Sequence, residues 1–330
     1  MRLSKLASVC AGLLIAATTS TGAFAEEKLY VYTSMKESLI GSLKEAFVKQ
    51  HPEVKMDYQS AGAGKLMAKI AAERESGKIL ADVLWTSEVP DFYQLKKEGL
   101  LLPYVSPEMK GAINPLPDYD GSFTAARLGT LGIAYNTRFV KEAPKAWADL
   151  KNPKFKNAYG IANPALSGTA YMSVALLSKT FGWEYFEALR KNGAKMGKGS
   201  GQVVDDTASG ELLASLAVDY ITLDKIGKGA TLGLAYPPEM LVIPSPVAIF
   251  KNSPDVAAAK KFVDFLLSKE GQEIVARNGT LPVRSDVALP EGSGLPPVAD
   301  AVKRSIKVDY PALIAEKEET IKKFTEIMQK

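Results

Sequence analysis

The stretch Lys28-Leu29-Tyr30-Val31-Tyr32-Thr33-Ser34-Met35-Lys36-Glu37 decides the fold. Its first half is β-branched and aromatic, and reads as a strand. Its second half is Ser-x-x-Glu, a capping-box pattern in which Ser34 and Glu37 would satisfy each other's orphan backbone N–H groups. The helix it opens carries Leu39, Leu43 and Phe47 at i, i+4 and i+8, one apolar stripe, and Pro52 ends it. A strand that runs straight into a helix is the opening move of an α/β chain.

The pattern repeats downstream. Val54-Lys55-Met56-Asp57-Tyr58 alternates like a second strand, Ser60-Ala61-Gly62-Ala63-Gly64 turns, and a helix follows from about Lys65 to Glu75. Ala81-Asp82-Val83-Leu84-Trp85 is apolar enough for a buried third strand, and Thr86-Ser87-Glu88 opens a helix toward Lys97. Strand and helix alternating at this spacing predict a parallel sheet with crossover helices. Ligands of such sheets sit in the crevice beyond the strand C-termini. Thr33-Ser34, Ser60 to Gly64 and Thr86-Ser87 all fall there.

Further along, residues 103–122 are rich in Pro, Asp and Gly and read as surface loop. A long extended segment covers Ala126 to Asn136, a short helix lies between Pro144 and Pro153, and Tyr159-Gly160-Ile161-Ala162 is a strand. Asn163-Pro164 turns into Ser167-Gly168-Thr169-Ala170 and a helix. Asp205-Asp206-Thr207 precedes a short helical piece with Asp206 or Thr207 as its cap. Leu216 to Tyr220 is strand-like, Leu241 to Phe250 is extended and bent by prolines, and a helix spans 255–268.

Upstream of the first strand, Arg2 and Lys5 precede an apolar run centred on Leu13-Leu14-Ile15-Ala16-Ala17. Ala23-Phe24-Ala25 then supplies a small-x-small cleavage pattern. This reads as a secretory signal peptide over 1–25, giving an exported, periplasmic protein that begins near Glu26. The apolar part is too short, and too interrupted by Thr18 to Thr21, to span a membrane. About 305 residues remain, enough for two lobes with cores of their own. The single cysteine, Cys10, lies within the signal behind a poor lipobox, so the mature chain has no thiol, disulfide or cysteine metal site.

The 41 basic and 37 acidic residues become 39 against 37 without Arg2 and Lys5. That near-neutral balance, without a basic stripe among aromatics, argues against nucleic acid. The single histidine, His51, sits at a helix end, which excludes a histidine triad or a multi-histidine metal site.

The order of these pieces resembles the extracellular solute-binding proteins of ATP-driven uptake systems, in the branch containing ferric-iron, phosphonate and sugar-phosphate binders. The resemblance rests on Tyr30-Val31-Tyr32-Thr33-Ser34, Ala81 to Thr86, Gly132-Ile133-Ala134-Tyr135-Asn136, Asn163-Pro164 with Ser167-Gly168-Thr169-Ala170, Ser209-Gly210-Glu211, and Ala257 to Gln272 followed by Pro282-Val283-Arg284. It implies a two-lobed α/β periplasmic binding protein of type II. Each lobe would hold a mixed, mainly parallel sheet flanked by helices, with two crossing hinge strands near 125–132 and 240–250. The lobes would be 26–127 with 246–296, and 128–245 with 297–330. Helices near 298–304 and 311–328 would pack back on the second lobe. The implied partners are a small-molecule anionic ligand and the permease subunits of an ABC transporter. A monomer is expected, with no cofactor.

For the ligand, helix N-termini with short hydroxyls and glycines suit an anion. The candidates are Thr33, Ser34, Ser60, Ala61, Gly62, Thr86, Ser167, Gly168 and Thr169, each of which could also be a local cap. Asp205, Asp206, Asp219 and Glu239 could meet hydroxyls or an ammonium at the ligand's other end. Trp85, Tyr171 and Tyr236 could offer a ring or a hydroxyl, with core packing the expected role of Tyr171. A small phosphorylated solute, either a sugar phosphate or a phosphonate, fits these residues best.

The alternative is ferric iron. The iron binders that the chain resembles use adjacent tyrosines, whereas Ala217-Val218-Asp219-Tyr220-Ile221 holds one, so that Asp219 and Tyr220 would be the metal ligands. A polyamine binder and an extracellular hydrolase are lesser readings. Adjacent Asp205 and Asp206 on an extended segment would point apart, which disfavours a catalytic pair.

Overall fold

The computed structural model describes residues 27–113 and 120–329. The proposed signal peptide, its cleavage site and Cys10 lie outside the described residues. The N-terminal part alternates as expected: β1 (Glu27–Thr33), α1 (Glu37–Gln50), β2 (Val54–Ser60), α2 (Ala63–Glu75), β3 (Val83–Trp85), α3 (Val89–Lys97) and the short β4 (Leu101–Leu102). The long β5 (Thr124–Asn136) leads into β6 (Tyr159–Ala162), α4 (Gly168–Phe181), α5 (Trp183–Lys191), β7 (Lys195–Gly197), α6 (Ser200–Ser209), β8 (Ala214–Val218), α7 (Asp219–Gly227) and β9 (Leu232–Ala235). The chain returns through β10 (Leu241–Phe250) and closes with α8 (Val256–Leu267), α9 (Lys269–Arg277), α10 (Val298–Arg304), α11 (Tyr310–Ala315) and α12 (Lys317–Gln329).

Among the described residues all the strands join one sheet, in the order β2-β1-β3-β10-β5-β8-β6-β7, with β4 beside β10 and β9 beside β5. Two parallel halves, β2-β1-β3 and β8-β6-β7, flank the antiparallel pair β10 and β5. Register aligns the C-terminal ends of each half. Thr33 stands opposite both Ser60 and Trp85, and Ala162 opposite Gly197. β5 pairs with β10 through Thr124–Leu131 and with β8 through Leu131–Tyr135, so one strand belongs to both halves.

Packing follows the apolar stripes. Leu39, Ile40, Leu43 and Phe47 of α1 are fully buried, and the Phe47 ring meets Phe262 of α8 edge-on at 5.4 Å. On the other half, Phe186 of α5 and Phe324 of α12 meet edge-on at 5.2 Å. Apolar burial of this kind contributes roughly 1.5–3 kcal/mol per large side chain. The C-terminal helices do not keep to one half: α12 packs on α4 and α5, while α11 packs on α3.

Several local expectations are corrected. Helix α1 begins at Glu37 with Lys36 as its N-cap and no side-chain cap, because the backbone stays extended through Lys36. The capping box is therefore absent. Ser34 Oγ accepts the Ser87 N–H at 3.1 Å, and the Glu37 carboxylate takes the Tyr58 hydroxyl instead. Asp205, Asp206 and Thr207 do not precede a helix but lie within α6, whose inward face is Val203, Val204 and Thr207. Strand β8 ends at Val218, so Asp219 and Tyr220 form the first turn of α7.

Candidate functional site

A cavity of about 330 Å³ lies where the C-terminal ends of both parallel halves face each other. Each of six strand-to-helix connections contributes to its wall. Ser34 and Lys36 come from the β1–α1 turn, Ser60 to Ala63 with Lys65 from the start of α2, and Ser87 from the β3–α3 turn. Opposite them stand Leu166 to Thr169 at the start of α4, Lys198 to Ser200 at the start of α6, and Val218, Tyr220 and Ile221 at the start of α7. Arg127, on the shared strand β5, lies between the two sets.

The first turns of four helices therefore open on one space. Gly62, Gly199 and Val218, the N-caps of α2, α6 and α7, provide no side-chain cap to the N–H groups that follow them. Such N–H groups and the positive end of the helix dipole attract an anion. At α4 the N-cap Ser167 does accept from the Ala170 N–H, at 3.4 Å. Its hydroxyl also lies 3.1 Å from Thr169 Oγ1 and 2.9 Å from Ser200 Oγ, and Thr169 and Ser200 are 3.0 Å apart. Three hydroxyls from two helix starts thus form one cluster that can turn its protons toward a ligand.

Charge on the wall has one sign. Lys36, Lys65, Lys198 and Arg127 line the cavity, and no carboxylate is among the described residues that do. Arg127 is buried and bound on several sides. It pairs with Asp219 at 3.3 Å, donates to Thr280 Oγ1 at 2.7 Å and Ser87 Oγ at 3.2 Å, and lies over the Tyr220 ring at 5.0 Å. Its Nε has no partner among the described residues.

Asp219 is spent on this framework. Its carboxylate accepts from the Thr130 N–H at 2.8 Å, the Thr280 hydroxyl at 2.7 Å and the Tyr220 N–H at 2.7 Å. Burial pushes its pKa up, while Arg127 and these donors oppose the shift. Tyr220 is pushed up to about 12 by burial, so its phenol stays neutral. Its oxygen accepts the Lys36 N–H at 3.0 Å, which leaves the hydroxyl proton for a ligand.

Of the residues singled out in the sequence, Ser34, Ser60, Ala61, Gly62, Ser167, Gly168, Thr169 and Tyr220 line the cavity. The others stand elsewhere. Thr33 Oγ1 braces the turn by accepting the Met35 N–H at 3.1 Å, and Trp85 and Thr86 are buried in the core behind the wall. Asp205 pairs with Lys225 on the outer face of α6, with Asp206 beside it. Tyr236 and Thr130 share a hydrogen bond of 3.0 Å, and the Glu239 carbonyl accepts from the Trp147 indole at 2.9 Å. Tyr171 is buried in the core, with its hydroxyl on the Leu313 carbonyl. The carboxylate end expected for the ligand is thus not on the wall, because a helix, not an extended segment, carries Asp205 and Asp206.

Ser87 also lines the cavity, as its place at a strand end led one to expect, whereas sequence reasoning missed Lys36, Lys65, Arg127, Lys198, Gly199 and Ser200. One signal for the last three was legible: Gly197-Lys198-Gly199-Ser200-Gly201 is another glycine-rich passage of the kind seen at Ser60 to Gly64. Arg127 had no local signal, since its role depends on Asp219 and Thr280 arriving from distant segments.

Comparison with known proteins agrees with this architecture. The family of bacterial extracellular solute-binding proteins matches residues 28–281. A Salmonella typhimurium protein named "Putative 2-aminoethylphosphonate-binding periplasmic protein" is 29% identical over 304 residues, 87% of each chain. The major ferric iron-binding protein of Neisseria meningitidis is 27% identical over 280 residues, 79% of this chain and 81% of its own. The periplasmic binding protein AfuA of Actinobacillus pleuropneumoniae, solved with fructose-6-phosphate, superposes with a TM-score of 0.81 at 25% identity, over 92% of this chain and 99% of that one. The two-lobed type II fold and the iron, phosphonate and sugar-phosphate branch expected from the sequence both hold. The chain belongs to the bacterial extracellular solute-binding proteins, the periplasmic receptors of ABC importers.

Proposed function

We propose that this protein is a periplasmic receptor that captures a small phosphorylated organic solute, a sugar phosphate or a phosphonate, and delivers it to the permease subunits of an ABC importer. One observation carries the reading. Helix N-termini, a hydroxyl cluster and four cationic side chains converge on one cavity whose described wall holds no carboxylate. Uncapped N–H groups and lysines match the oxygens of a phosphate, and Arg127 with the Tyr220 hydroxyl stands ready between the two sets.

The protein acts by binding, as a monomer and without chemistry on its ligand. The lobes are 26–127 with 246–296 and 128–245 with 297–330, and β5 and β10 cross between them. The relatives named for phosphonate binding and solved with fructose-6-phosphate support the ligand class. Ferric iron is the weaker reading. Hard Fe(III) calls for several anionic oxygens, whereas this wall offers one neutral phenol, and Asp219 is committed to Arg127.

The test is thermal unfolding of protein stripped of ligand by denaturation and refolding. A hexose 6-phosphate or an alkylphosphonate at 100 times its Kd should add about 2.7 kcal/mol, a rise of several degrees. The dephosphorylated hexose should add nothing. A rise with ferric citrate alone would overturn the reading and make Tyr220 a metal ligand.

A further inference from the structure

The three wall lysines bear on what the rest of the ligand can be. Lys36, Lys65 and Lys198 come from three separate helix starts, and none has an ion-pair partner among the described residues. The Lys36 stem reaches across the cavity: a Cβ built on Gly201 of α6 would stand 3.7 Å from its Cε.

The two nearest buried acids are not free to offset this charge. Asp219 is held by Arg127, Thr130 and Thr280. Glu88, behind Gly168, shares Lys317 with Asp91 and turns its charge to that group. A phosphate seated on the helix N-termini carries about two negative charges at neutral pH. Three lysines and the N-termini of α2, α4 and α6 already exceed that, the α7 N-terminus being met by the Asp219 carboxylate.

We propose that Lys36, Lys65 and Lys198 make the cavity selective for a phosphorylated solute whose remaining part is uncharged or anionic, and that they reject a solute bearing an ammonium group. The inference rests on the phosphorylated-solute reading and narrows it. An ammonium enclosed here would lose its hydration with no carboxylate to replace it and would face like charges on the wall. Rejection by unpaired like charge is a standard source of specificity. The chain would then differ in ligand from the Salmonella typhimurium relative named for 2-aminoethylphosphonate.

Isothermal titration of the stripped protein with three probes of one size tests this: 2-aminoethylphosphonate, 2-hydroxyethylphosphonate and phosphonoacetate. The aminoethyl compound should bind at least tenfold more weakly than the hydroxyethyl one, about 1.4 kcal/mol. Phosphonoacetate should bind at least as well as the hydroxyethyl compound. A Lys65→Gln variant should narrow the gap between the aminoethyl and hydroxyethyl probes. Aminoethylphosphonate binding as tightly as its hydroxyl analogue would overturn the inference and leave the phosphorylated-solute reading standing. Binding of none of the three, with no response to a hexose 6-phosphate, would overturn both.

Discussion

At the scale of single residues, buried charge is the deciding feature. Arg127 and Asp219 are both essentially inaccessible, and each is affordable only because the other is present. A second buried group joins Glu88 and Asp91, at the start of α3, to Lys317, at the start of α12. Burial, with Asp91 close by, pushes Glu88 up to about 7, and burial also raises Asp91. Burial alone would lower Lys317, but the two carboxylates outweigh it and raise it. Two acids share one lysine, so the group takes up a proton as pH falls toward neutrality. Between 4.5, the ordinary value for Glu, and about 7, the folded chain binds more protons than the unfolded one. Stability from this site therefore falls as pH rises through that window, by at most about 1.4 kcal/mol per pH unit for one proton. Urea unfolding from about pH 5 to pH 7 should show this decline, and Glu88→Gln should flatten it. Parallel lines for the two proteins would mean that Glu88 is ionised throughout.

At the scale of elements, the question is whether a hydroxyl at a helix start caps the helix or faces a ligand. Ser167 does the first and is placed for the second, whereas Ser200, in the first turn of α6, caps nothing with its side chain. Ser167→Ala should cost about 1 kcal/mol of stability, the usual value of a lost N-cap, as well as affinity. Ser200→Ala should leave stability within about 0.5 kcal/mol and still weaken binding of a phosphate ester by roughly tenfold, the worth of one charge-assisted hydrogen bond. Unchanged affinity in Ser200→Ala would remove α6 from the proposed site. Which strand ends meet was legible from the sequence for Ser60 to Gly62 and Ser167 to Thr169, since hydroxyls and glycines there follow strands directly. It was legible for the place of Ser34 too, but not for its bonding: no capping box forms, because the backbone stays extended through Lys36 and Glu37 takes the Tyr58 hydroxyl.

At the scale of the whole molecule, the two sides of the cavity touch through glycines. A Cβ on Gly62 would collide with the Leu166 carbonyl, and one on Gly64 with that of Ala165. A Cβ on Gly168 would stand 2.6 Å from Glu88 Cβ. Gly62 has ordinary extended angles, φ −61° and ψ 146°, so the need for glycine there is close approach rather than backbone strain. With the lobes divided as proposed, this seam and the Lys36–Tyr220 hydrogen bond belong to closure around a ligand. Gly62→Ala should leave the unliganded protein folded, lower affinity at least tenfold, and abolish the fall in radius of gyration that ligand is expected to cause in the parent protein, with both proteins measured by solution scattering. Normal affinity and compaction in that variant would show that the seam is not part of the bound state.

By itself the sequence determined the alternation of strand and helix, the parallel halves, the family and most of the hydroxyls at the strand ends, because each is written in contiguous residues through period, β-branching and turn chemistry. Only the tertiary structure decided that Asp219 serves Arg127, that Asp205 and Asp206 lie on α6 away from the cavity, and that three lysines from separate turns share one cavity. Those outcomes depend on segments that meet in space after the chain has crossed the sheet, and no local pattern encodes the meeting.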